Sequence, residues 1–109
     1  MSKGRRTAVT LEVADFYYQG EDAYFGIEHR VSGALTDATA VPTVTVTDHV
    51  GAALFTAQDS TKDSTGDYHY ECVIPAAAVC GDMKVQVSST YDSITRLDVA
   101  VSQIRETIV

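Results

Sequence analysis

The stretch Asp67-Tyr68-His69-Tyr70-Glu71-Cys72-Val73-Ile74, closed by Pro75, decides the fold. Side chains alternate faces along an extended strand, so Tyr68, Tyr70, Cys72 and Ile74 share one side. Asp67, His69, Glu71 and Val73 share the other. Pro75 ends the run because it has no N–H to give to a ladder. The same period of two recurs on both sides of it along the chain. Residues 7–13 set Val9, Leu11 and Val13 against Ala8, Thr10 and Glu12. Residues 23–31 set Phe25, Ile27, His29 and Val31 against Tyr24, Gly26, Glu28 and Arg30. Residues 43–48 point Val44 and Val46 inward and Thr43, Thr45 and Thr47 outward, and a short strand around residues 53–57 follows Gly51. Met83, Val85 and Val87 alternate with Lys84, Gln86 and Ser88. Leu97, Val99 and Val101 form the apolar face of the last strand, against Asp98, Ala100 and Ser102.

Between these runs, residues 19–22, 32–40, 59–67 and 90–93 read as turns or loops by composition. No long window carries a helical apolar stripe. Seven short alternating strands in 109 residues predict one all-β domain, a two-sheet antiparallel sandwich. Fourteen valines and thirteen threonines against four leucines and three lysines are the two faces of such strands. An apolar fraction of 45% is too high for a disordered chain. A small OB-type barrel is the alternative, but it needs fewer, longer strands and an aromatic or basic binding face. The outward residues here are mostly Thr, Asp and Glu.

The formal charge is −7, and it is uneven. Lys3, Arg5 and Arg6 lie in the first six residues, leaving five bases against fifteen acids, or −10, on residues 7–109. An acidic body repels phosphate backbones, so no nucleic-acid partner is expected. The basic start reads as a solvated tail or as an arm for an acidic partner. No apolar run has the length of a signal peptide or a membrane span, so synthesis in the cytoplasm and no membrane contact are expected.

Chemical motifs are sparse. Cys72 and Cys80 flank Pro75 without CxxC spacing, and a zinc site would need two further ligands that the scattered His29, His49 and His69 do not pattern. Cys72 reads as a small core residue. Cys80, before Gly81, lies where a hairpin disulfide to Cys72 is geometrically open under oxidation. Asp59, Asp63 and Asp67 offer carboxylates, but at a spacing that matches no calcium loop. Glu21 and Asp22, adjacent on a turn, point apart rather than forming an acid–base pair. His29 faces inward with no nucleophile motif, and His69 faces outward between Asp67 and Glu71. No glycine-rich phosphate loop occurs. No catalytic residue, cofactor or metal is therefore expected. Among Phe16, Tyr17 and Tyr18, one tyrosine plugs the end of the sandwich and the other is an exposed interface anchor. Ile104, Ile108 and Val109 lie beyond the last expected strand and read as residues that dock on a neighbour or on the domain's own edge.

Several segments resemble bacterial immunoglobulin-like and macroglobulin-like domains. They are Tyr17-Tyr18-Gln19-Gly20-Glu21-Asp22, then Thr43-Val44-Thr45-Val46-Thr47-Asp48 with Gly51, and then Ser64-Thr65-Gly66-Asp67-Tyr68-His69-Tyr70. Ile74-Pro75 and Cys80-Gly81-Asp82-Met83-Lys84-Val85-Gln86-Val87 complete the set. Those families carry an aromatic-Gly-Asp turn before the second strand and a Thr-Gly-x-Tyr turn into the strand that ends in an apolar-Pro pair. The likeness covers most of residues 9–101 and bears on fold more than function. It implies a seven-stranded antiparallel immunoglobulin-like β-sandwich over residues 7–103, with a basic arm at 1–6 and a tail at 104–109. It departs from the antibody branch, having no Trp and no cysteine in residues 23–31 to pair with Cys72.

Such a domain is similar to small virion proteins of tailed bacterial or archaeal viruses. That likeness implies a non-enzymatic structural or assembly part of a virus particle, a capsid decoration or a neck or tail accessory. Its partners would be other virion proteins in a homo-oligomer or symmetric assembly. The contacts expected are Lys3, Arg5, Arg6, Tyr17, Tyr18, Ile104, Ile108 and Val109. The alternative is a carbohydrate- or surface-binding module of a larger secreted protein, which needs exposed aromatic platforms.

Overall fold

The computed structural model describes residues 6–107. Among them the chain forms ten strands and no helix. They are β1 (Thr7–Glu12), β2 (Tyr17–Tyr18), β3 (Asp22–Val31), β4 (Ala34–Leu35), β5 (Thr43–Thr47), β6 (Ala53–Asp59), β7 (Thr61–Ser64), β8 (Asp67–Val73), β9 (Gly81–Tyr91) and β10 (Ile94–Arg105). One sheet runs β1-β3-β8-β7 with β4 on β3, and the other runs β2-β10-β9-β5-β6. Phe25, Ile27, Tyr68 and Leu11 of the first meet Val44, Val46, Met83, Val85, Val87 and Ile104 of the second in one core. The all-β class and two facing sheets are as the alternation predicts.

The count of seven antiparallel strands needs correction. Ten form, and β2 runs parallel to β10 through Tyr17 and Ile104. Strands β2 and β4 have two residues each, too few to show a period. Strand β7 occupies part of the polar stretch expected to be a loop. All four of its residues are exposed, so an edge strand here leaves no alternation to read. At Ser60 the chain changes sheets, with its N–H and hydroxyl both donating to the Pro42 carbonyl at 2.9 and 2.6 Å. The resulting buried polar residue is fully paired by one carbonyl.

The last strand is inverted relative to expectation. Strands β9 and β10 pair one to one through eleven residue pairs without a shift. Residues opposite one another share a face, so Met83, Val85 and Val87, all fully buried, bring Ser102, Ala100 and Asp98 inward with them. Leu97, Val99 and Val101 face outward instead, 59%, 47% and 63% exposed. Ile104 lies in the inward phase and is 2% exposed, so β10 and the core both continue past the expected boundary at 103.

Inward polar groups of β10 have defined partners on the neighbouring edge. The Leu11 N–H donates to Asp98 Oδ2 at 3.0 Å, and the Ser102 hydroxyl donates to the Ala14 carbonyl at 2.7 Å. At the opposite end of the first sheet, Gly66 has φ +71, and a Cβ there would stand 2.7 Å from the His29 carbonyl oxygen. The close approach lets the His29 N–H donate to the Gly66 carbonyl at 2.8 Å. The fully buried His29 ring donates from Nδ1 to the Thr36 carbonyl at 2.6 Å, since a carbonyl can only accept.

Asp98→Ala leaves the Leu11 N–H without its partner. The expected cost is about 1–2 kcal/mol of stability, read as a lower urea midpoint with an unchanged slope. Asp98→Asn, which keeps an acceptor, is expected to recover part of the loss.

Candidate functional site

Two surfaces carry features beyond those of a wet sheet face. The first is the outward side of β10. Leu97, Val99 and Val101 stand in a row, bounded by the polar Thr95 and Gln103. Across β9 their neighbours are Ser88, Gln86 and Lys84, and beyond those lie Thr43, Thr45 and Thr47 of β5. The aliphatic row therefore sits at the rim of an otherwise polar face. Among the described residues, no strand pairs with its outer flank over residues 94–103, because β2 meets β10 only at Ile104 and Arg105.

The second surface is the outer face of the other sheet. Tyr24 lies nearly parallel to the His69 ring, with centroids 4.9 Å apart. His69 Nδ1 is 2.7 Å from Asp63 Oδ1, and its Nε2 is 3.2 Å from Glu71 Oε1. Tyr24 remains 55% exposed, so its other ring face is open. Local desolvation, and then the charges of Asp63, Asp67 and Glu71, push its hydroxyl above the ordinary tyrosine value. Beside it runs a groove of about 190 Å³ lined by Thr10, Glu12, Tyr24, Gly26, Glu28 and Asp67. Glu28 stands directly opposite Asp67, a like-charge pair that opposes pairing. Arg30, 3.4 Å from Glu28, offsets only part of this, since both side chains are exposed.

The residues expected from the sequence divide three ways. Tyr17 does plug the sandwich: it is 5% exposed, and its hydroxyl accepts from the Ala14 N–H at 2.9 Å and donates to the Tyr24 carbonyl at 3.2 Å. Tyr18 is exposed and meets Phe16 edge-on, while the Arg105 guanidinium lies 3.8 Å above the Phe16 ring. Ile104 docks on the domain's own core, so its side chain is not open to a partner. Arg6 is exposed at the foot of β1, where its carbonyl accepts from the Ser32 N–H at 2.7 Å. Lys3, Arg5, Ile108 and Val109 lie outside the described residues. Glu21 accepts from the Tyr18 N–H at 2.7 Å, which is a turn contact. Among the described residues, no group of three His, Cys, Asp or Glu is placed to hold a metal ion.

Sequence reasoning missed both surfaces. The β10 row could have been found by counting back from Ile104, which shares a phase with Ser102, Ala100 and Asp98. Nothing in the local pattern joins Tyr24 to His69, because their neighbourhood comes from the register of β3 on β8.

No family model matches the chain, and no curated protein matches it.

Both cysteines are free thiols, Cys80 exposed and Cys72 partly buried against the core. Burial pushes the Cys72 thiol up to about 11. Only about a thousandth of it is thiolate at pH 8, so an alkylating reagent is expected to modify Cys80 first. The Cys72 rate should rise about tenfold per pH unit below its pKa. Mass spectrometry of timed reactions checks both expectations.

Proposed function

We propose that the chain is a non-enzymatic structural or assembly part of a virus particle, a capsid decoration or a neck or tail accessory. On this reading it is an immunoglobulin-like sandwich that acts through protein–protein contact with other virion proteins. The observation that carries the reading is the exposed row Leu97, Val99 and Val101 on the rim of an acidic, polar domain. Contiguous exposed aliphatic side chains cost free energy in water and are relieved by contact with another surface. The order β1-β3-β8-β7 against β2-β10-β9-β5-β6 supports the immunoglobulin-like wiring. In that wiring the first strand is divided, one part pairing in each sheet, as β1 and β2 do here. The viral setting rests on the resemblance of the turn motifs, an argument by analogy.

The test is particle fractionation. Particles purified from cells that express the gene should contain the chain at a fixed ratio to the capsid or tail subunits. Val101→Glu should lower that ratio. A chain that stays wholly in the soluble fraction, with particles assembled normally, would overturn the reading.

The open face of Tyr24, stacked on His69 and rimmed by carboxylates, favours a second reading as a carbohydrate-binding module. A sugar ring can stack on such a face while the acids accept its hydroxyls. A glycan array with hits that vanish in Tyr24→Ala would support it, and an array without hits would end it.

A further inference from the structure

We propose that β10 pairs with β10 of a second copy of this chain, antiparallel about a two-fold axis at Val99, joining two sheets into one. The inference rests on the reading of the domain as an assembly part and names one of its contacts.

The edges of the two sheets differ in how they are protected. A free strand edge presents unpaired N–H and C=O groups, and soluble proteins usually block them. On β1, the Leu11 N–H is taken by Asp98. On β6, the ladder to β5 slips twice and Ala57 adopts φ +46. Strand β7 is four residues long, slips between Lys62 and Ser64, and exposes charged side chains. Residues 94–103 of β10 meet β1, and Ala14 just after it, only from their inward side, through Asp98 and Ser102, and their outward face has no slip, no positive φ and no charged side chain. They run in one unbroken register with β9 and show solvent an aliphatic row.

The pattern along the row points to a second copy of the chain as the occupant. A two-fold contact brings a surface against itself, so its pattern must read alike in both directions. The outward residues do so: Thr95, Leu97, Val99, Val101, Gln103 is polar, apolar, apolar, apolar, polar about Val99. In this register Val99 faces its own copy, Leu97 faces Val101 of the second copy, and Thr95 faces Gln103. On the inward side, Asp98 faces Ala100 and Arg96 faces Ser102, so no like charges stand directly opposite. An unrelated partner would need no such symmetry. The chain's formal charge of −7 opposes the approach of two copies, so the contact should tighten as salt screens it.

Sedimentation equilibrium of the full chain tests the proposal. The wild type should dimerise, more strongly at higher salt. Val99→Lys should weaken dimerisation by about 100-fold or more while its thermal melting by circular dichroism stays near the monomer value. Val99→Cys in a Cys80→Ser background should form a disulfide-linked dimer under mild oxidation. Gln86→Cys in the same background lies one strand in from the edge and is too far from its copy, so it should not. A wild type that remains monomeric, a Val99→Lys variant as dimeric as wild type, or equal cross-linking at the two positions would each overturn the contact. If the wild type is monomeric yet present in particles, only the β10 contact falls. If it dimerises but never enters particles, only the assembly reading falls.

Discussion

The rest of the structure depends on the ladder between β9 and β10. Asp92 and Ser93 both take positive φ, 51° and 67°, between the paired Tyr91 and Ile94. A two-residue turn of that twist fixes the register of its strands, because it matches their right-handed coil. Once the register is fixed, every β10 side chain is assigned a face by its opposite number on β9. Met83, Val85 and Val87 fill the core at this flank, and Val9 and Leu11 close it from the facing sheet. Little volume is left for β10 opposite those three residues, and its inward positions there, Asp98, Ala100 and Ser102, are correspondingly small or polar; only Ile104, past them, fills core space. Leu97, Val99 and Val101 therefore face water, and the surface on which the functional reading stands follows from a constraint of packing.

Most of the fold was legible because burial on one side imprints a period of two. Phe25, Ile27 and His29, Val44 and Val46, and Met83, Val85 and Val87 all point where their alternation indicates. The pattern fails where its physical cause is absent. Strand β7 buries neither face, so its Thr, Lys, Asp and Ser read as a loop. Strands β2 and β4 are held by backbone pairing alone over two residues, and composition does not record that. In β10 the period is clear but its phase is not. Leu97, Val99 and Val101 are apolar in one phase and Ala100 and Ile104 in the other, and hydrophobicity by itself selects the wrong one.

The same distinction governs the surfaces. That one of Tyr17 and Tyr18 plugs the end was readable from the aromatic cluster beside the Gly20 turn, but which of the two was not, because the choice follows from the pairing of β2 on β10. The stacking of Tyr24 on His69 was not readable, since it arises from two strands distant in sequence and their mutual register. Asp63 lies in the polar stretch read as a loop, and it reaches His69 only because that stretch folds back as β7. Features built by local chain geometry were visible in the residues, and those built by pairing were visible only in the sheets.

The two ends of the described chain lie at opposite ends of β3. The Arg6 carbonyl accepts from Ser32, just past its last residue, and the Thr107 hydroxyl donates to the Gln19 carbonyl, just before its first. A pull on those ends would run along the strands, across a span of about 30 Å at ~3.3 Å per residue. Strand hydrogen bonds lie perpendicular to such a force, so the β1–β3 ladder and the parallel β2–β10 pair would be sheared as whole blocks rather than unzipped bond by bond.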